Sequence, residues 1–362
     1  MASKKSRKHF SQLLVVSLAF VFSAGSAVAQ QTSPKTKAPS APPQKQKAAT
    51  KPATIFHEDW DSITLEKSHL LPPEVVFGEK ADFPQYGFVR ELYQVSWRPG
   101  DAIDLYVVRP KGVEKPPVIL YLYSYPQDTD RFKNDHWCGS VTANGYAAVG
   151  FVSALTGQRA AHRLPKEWFV SELQESLATS VHDVQMVLNY LETRGDLDMD
   201  RVGMLGQGSG GAIGILAAAA DPRIKALDVL TPWGDWPNWL AKSKFVPADE
   251  RAKYATPEFL ARVATLEPIQ WLPKVKARSI RIQNVRQDGG VPDVVEERIE
   301  AAAPDIAEIN QFGDGRALVP AAAGGRLLDW IKTQLQPDAK QGVAAAKSER
   351  VHFYPAKGEA IH

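Results

Sequence analysis

A single cysteine, Cys138, stands among the 362 residues. An internal disulfide framework is therefore excluded, and whatever folds must hold together by its core. No cluster of cysteine and histidine has zinc-ligand spacing, so no metal is expected, and nothing in the sequence calls for a cofactor. Cys138 lies beside Trp137 in a segment that reads as a helix, where a buried, apolar cysteine is expected. Long apolar runs are missing too. The longest, Leu13 to Phe22, falls short of the roughly 20 residues that span a bilayer. The 43 basic and 41 acidic side chains nearly cancel. Four of the positive charges fall in residues 1–29 and five in residues 30–53, so the remainder is acidic. A nucleic-acid partner is not expected of such a surface.

Residues 1–29 have the layout of a bacterial-type export signal. Lys4, Lys5, Arg7 and Lys8 form a basic start, Leu13 to Phe22 an apolar centre, and Ala27-Val28-Ala29 a small-residue cleavage site. The expectation is an exported chain, periplasmic or secreted, without stable membrane insertion once the leader is removed. Residues 30–53 are rich in Pro, Ala, Lys, Gln and Thr, with neither an aromatic nor an acidic residue. Such a tract buries no core and reads as a disordered linker. A folded domain is expected over 54–340, followed by a loose tail over 341–362.

Within the domain, Phe88–Trp97 and Ala102–Arg109 alternate apolar and polar residues around the turn Arg98-Pro99-Gly100-Asp101, as a β-hairpin does. Val118–Tyr123 and Ala147–Val152 are continuous apolar runs, the pattern of strands covered on both faces. Thr179–Thr193 has apolar residues at helical spacing. Strand and helix then alternate to a closing helix over Ala323–Leu335. This order implies an α/β class: a mostly parallel sheet with an antiparallel N-terminal hairpin and helices on both faces. Two stretches interrupt the alternation, Leu155–Leu177 and Trp233–Lys276. The second holds Trp233, Trp236, Trp239 and Trp271, four of the nine tryptophans. Tryptophan offers a stacking face and one donor to a ligand, or simply staples an insertion to the body.

The densest signal is Val202-Gly203-Met204-Leu205-Gly206-Gln207-Gly208-Ser209-Gly210-Gly211, a strand, a glycine turn and a small-residue helix over Ala212–Ala220. It resembles the nucleophile elbow of the α/β-hydrolase superfamily, where G-x-S-x-G lifts a serine above the sheet. Asp221-Pro222-Arg223-Ile224-Lys225-Ala226 matches the continuation of that family stretch. The dienelactone-hydrolase and prolyl-oligopeptidase-like branches are the most similar, and the resemblance covers Phe88 to Gln336. It implies an α/β-hydrolase fold with a tryptophan-rich lid insertion over about 233–276.

The resemblance also marks departures. Gly208 stands where the serine belongs. Asp288, before Val291-Pro292, matches the family acid. Arg316, in Gly315-Arg316-Ala317, takes the place of the histidine. Tyr123-Ser124 replaces the H-G pair that helps form the oxyanion hole. A triad needs an attacking hydroxyl, an imidazole and an acid together, and losing the serine or histidine costs on the order of 10⁶ in turnover. The expectation is a catalytically inactive protein with a small-molecule ligand, contacted by Tyr123, Ser124, Ser209, Trp233 and Trp236. Two alternatives stay open. Ser209, one residue beyond the elbow, would serve an active esterase or peptidase. Gly206, Gly208 and Gly211, with Asp228 further on, also fit the G-x-G-x-x-G cradle of a dinucleotide-binding module. Asp183 is expected on a solvated helix face, Asp235 in a lid turn, and Arg316 in a salt bridge with Asp288.

Overall fold

The computed structural model describes residues 56–127, 129–156, 159, 169–288, 290–322, 327–340, 342 and 347–356. The leader and linker expected over 1–53, part of the 155–177 insertion, the start of the closing helix at 323–326 and His362 lie outside the described residues.

One ten-stranded sheet runs through the domain. In chain order its strands are β1 (Glu74–Phe83), β2 (Phe88–Ser96), β3 (Ala102–Pro110), β4 (Pro117–Leu122), β5 (Ala147–Phe151), β6 (Asp198–Gln207), β7 (Ile224–Leu230), β8 (Ser279–Val285), β9 (Ala307–Phe312) and β10 (Val351–Tyr354). Their spatial order is β1-β2-β3-β5-β4-β6-β7-β8-β9-β10. The pairs β1–β2, β2–β3 and β3–β5 are antiparallel, and every pair from β5 onward is parallel. The expected hairpin is β2–β3. Two strands were not expected. The first, β1, is exposed along most of its length, so its sequence lacks a buried face to betray it. The second, β10, pairs with β9 through Val351 and Ile309. The tail thus contributes an edge strand where a loose segment was expected.

The apolar runs are strands buried on both sides. Along β4, Val118, Leu120 and Leu122 join one core cluster and Ile119 and Tyr121 the other, as the period of two requires. The larger cluster packs the sheet against α2 (Leu173–Arg194) and α3 (Ser209–Ala220). The smaller packs it against α1 (Asp135–Thr142) and a later helix over Asp329–Gln334. Helix α2 ends at Gly195, whose left-handed backbone (φ +71°) a glycine adopts without a Cβ clash. Between β7 and β8 the insertion folds into four short helices: α4 (Trp236–Lys242), α5 (Arg251–Tyr254), α6 (Pro257–Val263) and α7 (Pro268–Trp271). Helix α8 (Asp293–Ala302) precedes β9; α9 (Gly315–Ala322), α10 (Asp329–Gln334) and α11 (Lys347–Arg350) follow it. No helix among the described residues is long and apolar enough to cross a membrane.

Asp183 is not on a solvated face. It is fully buried on α2, paired with Arg98 and Arg159 and accepting a hydrogen bond from Trp97 Nε1 at 2.8 Å. Arg98 also binds Glu58 (Nη2 to Oε1, 2.6 Å), and Glu58 faces His182 Nδ1 at 2.7 Å. The segment before β1 is thereby tied to α2. A helical pattern read from apolar residues alone cannot show that a charge will find two guanidinium groups from elsewhere in the chain. Asp235 is likewise buried, at a left-handed position (φ +48°) before α4.

Candidate functional site

The turn from β6 into α3 has the elbow's backbone. Gly208 sits at φ +53°, ψ −114°, a conformation that strains any residue bearing a side chain. Its N–H donates to Leu230 O at 2.9 Å and its carbonyl accepts from Trp233 N–H at 3.0 Å, so the end of β7 clamps the turn. The flanking glycines serve close packing: a Cβ on Gly210 would collide with the Leu122 carbonyl.

What stands above Gly208 is Ser124. A Cβ built on Gly208 would lie 2.7 Å from Ser124 Cβ, closer still to Ser124 Oγ, and 3.2 Å from Trp233 Nε1. The space above Gly208 is therefore occupied by a hydroxyl from the loop after β4. Trp233 is wholly buried and its Nε1 has no hydrogen-bond partner among the described residues. It packs at 4.4 Å from Trp239, 5.4 Å from Phe245 and 5.9 Å from Phe169, and Phe169 stacks on Tyr125 at 4.0 Å.

Ser209 is fully buried, and its Oγ accepts the Tyr125 N–H at 2.8 Å. In this fold the second oxyanion donor comes from the loop that holds Tyr125. Here that donor is taken up inside the protein. The hydroxyl of Ser209 is packed away rather than aimed at a reacting carbonyl.

The other expected residues are dispersed. Tyr123 extends the alternation of β4 to the opposite face of the sheet, beneath the Arg131 guanidinium (5.2 Å) and beside Trp137. Burial raises its hydroxyl pKa above the ordinary value. It does not line the elbow. Trp236 is buried, donates to Leu266 O at 3.1 Å and meets Trp239 edge-on, which makes it a staple of the insertion rather than a ligand contact. Asp288 is exposed; its Oδ2 accepts the Gly290 N–H at 3.0 Å and Lys244 lies 3.8 Å from its Oδ1. Arg316 occupies the first turn of α9, exposed, with its own N–H bound to Asp314 Oδ1. Among the described residues Asp288 pairs with Lys244, so the expected salt bridge to Arg316 is not formed. The loop expected after β9 is a helix, and its direction carries Arg316 outward. His352, on β10, is exposed and registered beside Asn310. His182 is fully buried, held between Glu58 and the Ser62 carbonyl.

The dinucleotide reading fails on its acid. Asp228 is fully buried in mid-strand and receives Arg281 Nη2 at 2.7 Å and Gln283 Nε2 at 2.9 Å. It has no reach to a ribose. No group of three His, Cys, Asp or Glu among the described residues is placed to hold a metal. Cys138 is buried, donates to Phe132 O, and burial pushes its thiol to about 11, so it is un-ionised at neutral pH.

Sequence reasoning missed Ser124 as the residue filling the elbow. No local signal could have found it, because the contact joins positions more than eighty residues apart. It also missed the polar patch of Arg281, Gln283 and Asn310. A signal for that existed: Ser279, Arg281 and Gln283 alternate with isoleucines in a strand that is buried throughout.

Comparison with known proteins bears on the fold. The profile of the X-Pro dipeptidyl-peptidase (S15) family matches residues 99–278. The protein named "Putative hydrolase YtaP" of Bacillus subtilis (strain 168) is 27% identical over 135 residues; the match spans 33% of this chain and 45% of that protein, less than half its length. Among solved structures, an acetyl xylan esterase from Paenibacillus sp. R4 superposes with a TM-score of 0.55 at 16% identity, covering 78% of this chain and 96% of the esterase. Acetyl xylan esterase 1 from Thermoanaerobacterium sp. JW/SL YS485 gives 0.51 at 13% identity, covering 70% and 88%.

Proposed function

Because the chain is a member of the α/β-hydrolase superfamily, esterase- or peptidase-like in its matches, we propose that it is an exported, non-hydrolytic member that acts by binding. One observation carries this reading. Gly208 keeps the elbow's backbone angles, while the Ser124 side chain fills the space a nucleophile would need. The supporting facts point the same way. Ser209 Oγ is bound to the Tyr125 N–H. Asp288 faces solvent and Lys244 rather than an imidazole. Of the mechanism that relies on serine, histidine and acid acting as one unit, only the acid is kept at the positions the resemblance matches, 208, 288 and 316. Export rests on the leader's basic start, short apolar centre and Ala-Val-Ala site.

A ligand at the elbow would meet the half-buried Ser124, with the wholly buried Trp233 indole N–H behind it. The experiment is direct. Purified protein is exposed to a fluorophosphonate probe and to p-nitrophenyl acetate. Neither labelling nor turnover above buffer is expected. Labelling that disappears in Ser124→Ala or in Ser209→Ala would overturn the reading and identify which hydroxyl attacks.

A further inference from the structure

His57 and His69 stand directly opposite one another in an antiparallel bridge, with the His69 N–H donating to His57 O at 2.8 Å. Opposite positions of such a pair send their side chains to the same side, with Cβ atoms about 4.5–5.5 Å apart. Both histidines are exposed, and their ring centroids lie 6.1 Å apart at an interplanar angle of 61°. An ion bound by one nitrogen of each ring, at about 2.0–2.1 Å, places the two centroids roughly 5–6 Å apart, according to the angle at the ion. The rings therefore need to close by no more than about 1 Å, within reach of small side-chain rotations. Among the described residues no hydrogen bond or ion pair takes up a ring nitrogen of either histidine.

The backbone beneath the pair is fixed. Residues 58–68, between the two histidines, are tied to α2 and to the turn after β2. Glu58 binds Arg98 Nη2 at 2.6 Å and His182 Nδ1 at 2.7 Å, the Ser62 carbonyl faces His182 Nε2 at 3.0 Å, and the Ile63 carbonyl accepts from Gln185 Nε2 at 2.8 Å. The Asp59 N–H donates to Ser68 Oγ at 3.0 Å, which draws the two ends of the loop together. Beyond His69, the Leu71 N–H donates to Trp97 O at 3.0 Å. A closed and anchored loop thus presents the two imidazoles, and an ion joining them has little backbone left to order.

Imidazole selects among cations. Mg²⁺ and Ca²⁺ take oxygen ligands, whereas Zn²⁺, Ni²⁺ and Cu²⁺ accept ring nitrogen. Two histidines fall short of the three or four protein ligands of catalytic and structural zinc centres, so water completes the shell. We infer that His57 and His69 form a surface site for one divalent ion of the Zn²⁺, Ni²⁺ and Cu²⁺ class, which closes the loop that carries Glu58 into the buried charges around Asp183. The site shares no residue with the elbow, so its failure would leave the proposed function untouched.

The test is isothermal titration calorimetry of the full, untagged chain with ZnCl₂ and NiCl₂, and with MgCl₂ as control. Zn²⁺ and Ni²⁺ should bind and Mg²⁺ should not. His57→Gln and His69→Gln should each weaken Zn²⁺ binding by at least about tenfold, since even losing a residue behind a metal ligand costs that much. His352→Gln, at the exposed histidine of β10, should leave the affinity unchanged. Both substituted side chains are exposed, so the thermal midpoints without metal should match the wild type. A second readout needs no substitution: Zn²⁺ should protect His57 and His69, but not His136 or His352, from carbethoxylation by diethyl pyrocarbonate, read by peptide mass mapping. The inference is overturned if neither Zn²⁺ nor Ni²⁺ binds at about 1 mM, the weak end of specific affinity. It is equally overturned if only one of the two substitutions weakens binding, if neither does, if Mg²⁺ binds as Zn²⁺ does, or if Zn²⁺ leaves His57 and His69 unprotected.

Discussion

Gly208→Ser restores the residue that the elbow usually carries, and the structure says it should be costly. At φ +53°, ψ −114° a side-chain-bearing residue is strained by about 1–3 kcal/mol. Its Cβ would also stand 2.7 Å from Ser124 Cβ, with Trp233 Nε1 at 3.2 Å, so neither neighbour leaves it room. Overpacking of this kind adds about 1–3 kcal/mol. The single variant should therefore lose roughly 2–6 kcal/mol, a large share of the total stability of a folded domain. The two terms can be separated. Ser124→Gly removes the obstacle and leaves the backbone as it is, whereas Ser124→Ala keeps the colliding Cβ. Gly208→Ser combined with Ser124→Gly should thus recover about 1–3 kcal/mol relative to the sum of the singles, the coupling expected of residues in contact. Urea unfolding followed by circular dichroism measures all four corners of the cycle. A cost below about 1 kcal/mol for Gly208→Ser, or no relief from Ser124→Gly, would refute the claim that Ser124 fills the nucleophile's place.

Two other perturbations test the buried charges. Burial alone would raise the pKa of Asp183, but Arg159 and Arg98 outweigh it and hold the carboxyl below its ordinary 3.8. Its contribution to stability is therefore present above that value and lost as pH falls through the lower, folded one. Asp183→Asn should cost up to about 3 kcal/mol in urea unfolding at pH 7, because two buried guanidinium groups lose the carboxylate they share while Glu58 and Asp101 still compensate part of their charge, and it should flatten the acid limb of the stability profile. Glu296, on α8, behaves in the opposite sense. Burial pushes its carboxyl from 4.5 to about 8, against the opposing charge of Arg286 and with Asp293 and Glu300 adding to the rise. The folded protein then holds a proton that the unfolded chain has shed, so stability is full below pH 4.5 and declines as pH rises through about 8. Glu296→Gln should shrink the loss of stability between pH 5 and pH 9, as read from urea midpoints; an unchanged or steeper loss would contradict the assignment.

The fold was legible because its signals are local. Continuous apolar runs at Val118 and Ala147, the turn at Arg98–Asp101 and the glycine-dense bend before Ala212 each report on a few neighbouring residues, and each became the expected element. That no side chain stands at 208 was also legible, since it depends only on which residue is there. The fates of Tyr123 and Arg316 were not. A one-residue step along β4 decides which face of the sheet a side chain joins, and it separates Tyr123 from Ser124. The helical start of α9 decides where Arg316 points.

Residue identity and periodicity alone determined the class of fold, the glycine-dense bend after β6 and the absence of a side chain at 208. Only the packed chain decided which side chain stands over that bend, which charges were buried with partners and where two amide oxygens were left without donors. The reason is physical. Periodicity encodes burial along one element, whereas a contact such as Ser124 with Gly208, or Gln283 beside Asn310, forms only when strands distant in sequence are set side by side and their registers fixed.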